Sequence, residues 1–277
     1  MAGTLSLVGT PIGNLGDLSP RAREALAAAD VIACEDTRRT RALLTHLGIG
    51  GKRLVSLFEG NEERRIPGLL EEVRAGRDVA VVTDGGMPGL SDPGFRLVRA
   101  ALEEDLEVDV VPGPSAAVAA LVVSGLPADR FVFEGFLPRK PGQRRARLRA
   151  LLDEPRTIVL FESPRRFGAM LRDAADLLGD RPAAVAREMT KVHGTVARGT
   201  LPELAERFRG EEVRGEVTVV IGGSPTEAAG PTPEELATRV RALTEAGISR
   251  RDAVLRVAEE TGASRRQVYE AALRNER

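Results

Sequence analysis

The stretch Val79-Ala80-Val81-Val82-Thr83-Asp84-Gly85-Gly86-Met87-Pro88-Gly89-Leu90-Ser91-Asp92-Pro93-Gly94 decides the fold. Its first four residues are apolar without alternation. A strand reads this way when both faces of its sheet are covered, as in parallel sheets flanked by helices. The following residues carry Gly85, Gly86, Gly89 and Gly94 with Pro88 and Pro93, so the strand ends in a long, conformationally defined turn. The same grammar continues outward in both directions. Upstream, residues 62–75 have helical spacing and stop at Gly76. Downstream, Phe95 to Glu103 reads as a helix. Glu107 to Val111 reads as a strand running into Pro112-Gly113-Pro114-Ser115, and a helix of small residues occupies 115–123. Nearer the start, Thr4 to Val8 is a strand broken by Gly9-Thr10-Pro11-Ile12-Gly13-Asn14, and Ser19-Pro20 opens a helix. Val31 to Ala33 is a strand, and Thr37 to Leu47 a helix ended by Gly48. Strands alternating with helices predict an α/β fold with a largely parallel sheet.

A second α/β unit begins near Arg130. Strands are expected over 131–136, 157–161, 183–186, 195–197 and 216–221, with helices over 144–152, 167–178 and 201–208. Fewer long helices separate these strands, which predicts a mixed sheet. The expected division is 1–118 for the first domain, 119–223 for the second, and 233–277 for a helical appendage. Within the appendage, helices are expected over 233–246, 250–260 and 264–274, with Ser249 and Ser264 as caps. The short joint Thr261-Gly262-Ala263 gives its last two helices a helix-turn-helix-like look. Residues 239–277 hold nine Arg against six Asp/Glu, so nucleic-acid contact competes with a plain solvated face.

Composition narrows the class. The 40 basic and 41 acidic residues nearly cancel, which excludes a wholly basic nucleic-acid coat but not a local basic face. All basic residues except Lys52, Lys140 and Lys191 are arginines, the side chain suited to bidentate phosphate contacts. No Trp and one Tyr make an extended base-stacking platform improbable. Cys34 stands alone, so no disulfide network or Cys-rich zinc module is expected. No charged-then-apolar leader opens the chain and no apolar run reaches membrane-spanning length, which points to a cytoplasmic protein.

Three glycine-proline loops follow predicted strands, at 9–16, 83–94 and 112–116. Ligands of open α/β sheets collect beyond the carboxyl ends of strands. Neither G-x-G-x-x-G nor a phosphate loop with G-K-[ST] is present, which argues against nicotinamide and triphosphate sites of the usual kind. His46 and His193 are isolated, so no zinc site is expected, and nothing marks a serine nucleophile elbow. Cys34-Glu35-Asp36-Thr37-Arg38-Arg39-Thr40-Arg41 is either an ordinary helix start or an acid beside a phosphate-binding arginine group. Phe58-Glu59-Gly60-Asn61-Glu62 offers a second polar patch. Between Arg139 and Arg149 there are six basic residues and no acid: Arg139, Lys140, Arg144, Arg145, Arg147 and Arg149. Such density favours polyanion contact over a merely solvated face. Arg165 and Arg166, after another strand, are expected on the same positive rim. Arg187-Glu188-Met189-Thr190-Lys191 closes a third strand end.

Taken in order, Gly9-Thr10-Pro11-Ile12-Gly13-Asn14-Leu15, Glu35-Asp36-Thr37-Arg38, Ser91-Asp92-Pro93-Gly94, Pro112-Gly113-Pro114-Ser115, Gly135-Phe136-Leu137-Pro138-Arg139, Glu162-Ser163-Pro164 and Arg187-Glu188-Met189-Thr190-Lys191 resemble a known family. It is the bacterial methyltransferase family that modifies the ribose 2'-hydroxyl of a decoding-region cytidine in 16S ribosomal RNA, within the tetrapyrrole-methylase-like superfamily. The resemblance implies two α/β domains with a cleft between them, S-adenosylmethionine as methyl donor, and a homodimer acting on small-subunit RNA within the assembled 30S subunit. It places the cofactor against Asp84, Gly85, Gly86, Met87 and Pro88, with Ser115, Ala116, Phe161, Met189 and the Gly215-Glu216-Val217 turn around it. Gly9, Pro11 and Gly13 form the floor. The RNA side draws on Glu35, Asp36, Arg38, Asn61, Arg139 and Lys191. Three stretches depart from the family's usual pattern. Phe58-Glu59-Gly60-Asn61 replaces His-Glu-His-Asn, Thr83-Asp84-Gly85-Gly86-Met87-Pro88 replaces Ser-Asp-Ala-Gly-Thr-Pro, and His193-Gly194 stands where two glutamates are usual.

The implied reaction is an in-line displacement by the ribose oxygen on the sulfonium methyl, for which no metal is needed. Glu35, Asp36 or Glu188 is expected to accept the hydroxyl proton. Lys191 does so only with a lowered pKa, and otherwise stabilises charge on oxygen. Two alternatives stay open: a methyltransferase for a tetrapyrrole precursor, and a non-catalytic ribosome-associated RNA-binding protein.

Overall fold

Two five-stranded sheets and a separate helical unit make up the computed structural model, which describes residues 2–191, 194–211, 213, 215–224 and 231–274. His193 and residues 275–277 lie outside the described residues.

The first sheet contains β1 (Leu5–Val8), β2 (Val31–Cys34), β3 (Arg53–Ser56), β4 (Val79–Val82) and β5 (Val108–Val111), in the order β3-β2-β4-β1-β5. Every pairing is parallel. Period-two alternation sends Val79 and Val81 to one face and Ala80 and Val82 to the other. The first face packs under α3 (Glu62–Arg74) and α4 (Phe95–Glu103) through Leu69, Leu70, Val73 and Leu97. The second packs under α1 (Pro20–Ala28) and α2 (Thr37–His46) through Ala22, Leu26 and Leu44. Thus β4 is buried on both sides, as its unbroken apolar run requires. Ser19 accepts the Ala22 N–H and Pro20 fills the first turn, so α1 starts where the sequence puts it.

The second sheet is mixed, as expected. It contains β6 (Phe131–Phe136), β7 (Thr157–Glu162), β8 (Pro182–Arg187), β9 (Thr195–Thr200) and β10 (Val217–Ile221), in the order β6-β7-β10-β8-β9. Only the β6–β7 pair is parallel. The helices α6 (Pro141–Arg149), α7 (Pro164–Leu178) and α8 (Leu201–Arg207) accompany it, and Leu148, Phe167, Met170 and Leu204 build its largest core cluster. The other face receives α5 (Ala116–Ser124) through Ala117, Ala120 and Leu121. The expected boundary at residue 118 therefore falls inside a helix that packs on the second sheet. The two sheets form one compact unit, residues up to 152 and 156–222.

The helical unit holds α9 (Pro233–Glu245), α10 (Arg250–Thr261) and α11 (Arg265–Arg274) around Leu236, Val240, Val257 and Val268. Ser249 and Ser264 cap α10 and α11 as expected, and Gly262 adopts the left-handed C-cap of α10. No helix among the described residues is long and apolar enough to cross a membrane.

Candidate active site

Because the first sheet is parallel, the loops after β1, β2, β4 and β5 emerge along one edge, the usual place for a ligand in such sheets. Two contacts lock three of them together. Thr10 and Gly86 exchange backbone hydrogen bonds of 2.9 and 3.0 Å, joining the β1 and β4 loops. Gly9 passes Gly113 so closely that a Cβ on Gly9 would lie 2.6 Å from the Gly113 Cα, which joins the β1 and β5 loops. A backbone crossing this tight admits only glycine. Gly13, at φ 149°, meets the turn after β8, where its Cβ would stand 2.8 Å from Thr190 Oγ1 and Lys191 Cγ. The first sheet's loops thereby reach the second sheet.

A cavity of about 580 Å³ opens between these loops and the strand ends of the second sheet. The first sheet contributes Pro11, Ile12, Gly13, Glu35, Arg39, Asp84, Gly85, Gly86, Met87, Leu90 and Asp92. The second contributes Phe136, Phe161, Ala186, Glu188, Met189, Lys191, Gly215, Glu216 and Thr218, and Ser115 and Ala116 lie at the joint. Ser115 caps α5 by accepting the Val118 N–H. Phe161 is held edge-on to Phe133 at 5.0 Å between ring centres and tilted to Phe136 at 5.6 Å. The cavity therefore combines an aromatic and methionine wall with a carboxylate-rich one.

The carboxylates control its electrostatics. Burial first, then the neighbouring Glu35 charge, pushes the Asp92 carboxyl up to about 7, against the pull of the Thr83 hydroxyl. Burial and the Asp84 charge also raise Glu35. Glu216 adds to the negative field on both. Two cations oppose it: Arg39 lies 3.2 Å from Asp84, and Lys191 lies 2.5 Å from Glu188. Glu188 occupies a left-handed backbone conformation, φ 45°, which is uncommon for a non-glycine residue and fixes its side chain at the cavity edge. With Glu35, Asp84, Asp92, Glu188 and Glu216 facing Arg39 and Lys191, the site favours a cationic ligand that also carries an apolar group.

The expected residues divide clearly. Glu35, Glu188 and Lys191 line the cavity, as do Pro11, Asp84, Gly85, Gly86, Met87, Ser115, Ala116, Phe161, Met189 and Gly215. Gly9 and Pro88 lie beneath the wall, and Val217 is fully buried in β10. Asp36 does not line the cavity. Its carboxylate caps α2 through the Arg38 N–H and accepts twice from the Arg38 guanidinium, which holds it at about 2. That pairing makes Asp36 a poor proton acceptor and occupies the Arg38 side chain. Asn61 is buried. It accepts the Phe58 N–H and donates to the Ser56 carbonyl, so it shapes the turn before α3 and presents nothing to RNA.

The basic rim is smaller than the sequence suggests. Arg144 is buried and bonded to Asp173, Arg145 bridges Asp173 and Asp176, and Arg147 forms a two-bond pair with Glu134. The acids come from β6 and α7, distant in sequence, so a local charge count cannot see them. Arg139, Lys140 and Arg165 are exposed and have no partner among the described residues. Sequence reasoning gave Asp92 no role of its own and gave Arg39 only a share in a phosphate-binding arginine group. The signal for Asp92 was present, because it sits in a quoted loop motif between two prolines and glycines. Arg39 faces the cavity only because α2 starts at Thr37.

Residues 4–205 match the profile of the tetrapyrrole (corrin/porphyrin) methylases. A ribosomal RNA small subunit methyltransferase I of Mycobacterium tuberculosis is 49% identical over 279 aligned residues, covering 100% of this chain and 96% of that protein. The chain belongs to the ribosomal RNA small subunit methyltransferase I family. A family member from Thermotoga maritima is 48% identical over 221 residues, which cover 80% of this chain and 99% of that protein. Among solved structures, the uroporphyrin-III C-methyl transferase of Thermus thermophilus, complexed with S-adenyl homocysteine, superposes with a TM-score of 0.56 at 24% identity, covering 79% of this chain and 97% of that one. At that identity the likeness is one of fold, and it shows that the family shares the two-sheet architecture of tetrapyrrole methylases.

Proposed function

We propose that the protein transfers a methyl group from S-adenosylmethionine to the ribose 2'-hydroxyl of a cytidine in the decoding region of 16S ribosomal RNA. The observation that carries this reading is the end-to-end likeness to a relative named for the small-subunit ribosomal RNA. The cavity agrees with the donor. Its carboxylates suit a ligand bearing a sulfonium and an ammonium, and Phe161, Met189 and Leu90 suit an adenine. The cofactor supplies a methyl group on a leaving sulfur, so the protein's task is to place the nucleophile and accept one proton.

Gly85, Gly86 and Met87 offer backbone at the cavity wall, and the Thr10–Gly86 bridge holds that backbone still. Rigid placement of this kind is worth far more than proton transfer in a displacement on a good leaving group. Asp92 and Glu35 are placed to take the hydroxyl proton. Burial, joined by the Asp84 charge at Glu35 and by the Glu35 charge at Asp92, raises both carboxyls and readies them to bind it. Lys191, held by Glu188, supplies positive charge to the oxygen. Arg139, Lys140 and Arg165 serve RNA phosphate without reading sequence.

Finer points of the same proposal are a homodimer and an assembled 30S particle as substrate, which together imply a cytoplasmic location. Val118 and Val122 on α5, and Val110 on the edge strand β5, are exposed and support pairing of copies. The test is methyl transfer from labelled S-adenosylmethionine into small-subunit particles and into free small-subunit RNA, with nuclease mapping of the ribose mark. Label on a 2'-oxygen of the RNA is the expected result. Label on a tetrapyrrole precursor and none on RNA overturns it.

A further inference from the structure

A second pocket of about 300 Å³ adjoins the cavity and is built largely by α2 and the turn after β1. Its walls include Leu15, Ala42 and Leu43, with His46 at one end. It shares Pro11, Arg39 and Asp84 with the larger cavity, so the Arg39–Asp84 ion pair stands between the two spaces. Resting on the RNA reading above, we propose that this side pocket receives the base of the target nucleotide while its ribose lies at the shared wall.

Three observations support it. A ribose whose 2'-oxygen faces the larger cavity has its base attached one bond from the ring, so a base splayed out of its stack, as single-stranded RNA presents it, falls in adjoining space. The pocket's chemistry suits a pyrimidine: Leu15, Leu43 and Pro11 supply apolar sides for the ring faces, and His46 supplies a donor and an acceptor for its edge. Charge on the same helix is complementary to the chain that enters. Arg39 is about 70% exposed, and the exposed Arg41 has a guanidinium with no bonded partner among the described residues, so both suit flanking phosphates. By contrast, Arg144, Arg145 and Arg147 of α6 are spent on Asp173, Asp176 and Glu134.

Ala42 allows a clean test, because it lines the pocket yet is exposed and contributes nothing to the core. Ala42→Trp fills the pocket. Thr45→Trp, exposed on the same helix and outside the pocket lining, controls for a bulky ring on α2. Initial rates are measured on reconstituted small-subunit particles carrying either the mapped target nucleotide or an abasic ribose at that position. The expected result is a rise of tenfold or more in the KM for intact particles with Ala42→Trp and within twofold of wild type with Thr45→Trp. On the abasic substrate wild type and Ala42→Trp become equal, and the affinity for S-adenosylmethionine is unchanged in all three proteins. An Ala42→Trp penalty that persists on the abasic substrate, or a KM within twofold of wild type on both, overturns the base pocket while leaving the methyl-transfer reading intact. Wild-type protein that methylates neither particle overturns both.

Discussion

Asp92 shows how a single carboxyl reports on the whole cavity. Burial and the Glu35 charge lift it to about 7, so below that pH the protein holds a proton there that the unfolded chain releases near pH 4. The sign follows: this group favours the folded state at low pH, and its contribution is lost as pH rises from about 4 through about 7. A cationic ligand reverses the pressure by stabilising the carboxylate. Binding of S-adenosylmethionine should therefore tighten between about pH 6 and 8 with release of a proton, as calorimetry in two buffers of different ionisation enthalpy would detect. S-adenosylhomocysteine, which lacks the sulfonium charge, should show a weaker dependence, and Asp92→Asn should flatten it. If the cationic ligand binds equally at pH 6 and 8, the carboxylates are not its counter-charge. Single-turnover methyl transfer should fall at least tenfold in Glu35→Gln and stay within twofold in Asp36→Asn, whose carboxylate is committed to α2. The sequence could rank neither acid, because they are adjacent and differ only in which way the end of β2 turns them. It did bring Glu35, Glu188 and Lys191 to the cavity, since each follows a strand end.

At the scale of elements, α6 separates charge that holds the fold from charge that meets a ligand. Arg144 pairs with Asp173 at 2.6 Å with both side chains largely buried, so Arg144→Ala should cost about 2 kcal/mol by taking away the more buried of that carboxylate's two guanidinium partners and leaving Arg145 to hold it. Arg147 is itself half-exposed, but its Glu134 partner is 10% exposed and has no other ion pair among the described residues, so Arg147→Ala should cost about 2 kcal/mol. Urea unfolding of the two variants checks these losses, and a loss under about 0.5 kcal/mol in both would show that the α6 arginines do not hold the fold. RNA binding should respond the other way: replacing Arg139, Lys140 and Arg165 together should flatten the salt dependence of affinity, and Arg147→Ala should leave it unchanged. Strands such as β4 and helices opened by Ser19-Pro20 were legible because an apolar run or a cap marks them. β3 was not. Its Arg53-Leu54-Val55-Ser56 is a short edge strand with little apolar signal, and only pairing with β2 makes it a strand.

For the whole molecule, the division that matters is the one after Gly222. The helical unit has its own core of Leu236, Val240, Val257 and Val268, while the cavity lies wholly within the two-sheet unit. The Thermotoga maritima relative leaves about a fifth of this chain unmatched, a share the size of the helical unit. A chain ending at Gly222 should keep its affinity for S-adenosylmethionine within twofold by calorimetry, and a loss of binding would show that the helices complete the site. The sequence placed these helices well because caps and a glycine joint punctuate them. It set the first boundary inside α5, because a helix of small residues does not announce which sheet it will cover.

The Gly9–Gly113 crossing and the Thr10–Gly86 bridge weld three turns of the first sheet into a single plate. A methyl on Gly9 would part the plate, so Gly9→Ala should abolish cofactor binding in a protein that still folds. A welded plate cannot flex locally to let a nucleotide pass. Any widening of the entrance has to come from the opposite wall, at the Glu188–Lys191 turn and the Phe136 strand end, and has first to release the contact of Gly13 with Thr190 and Lys191.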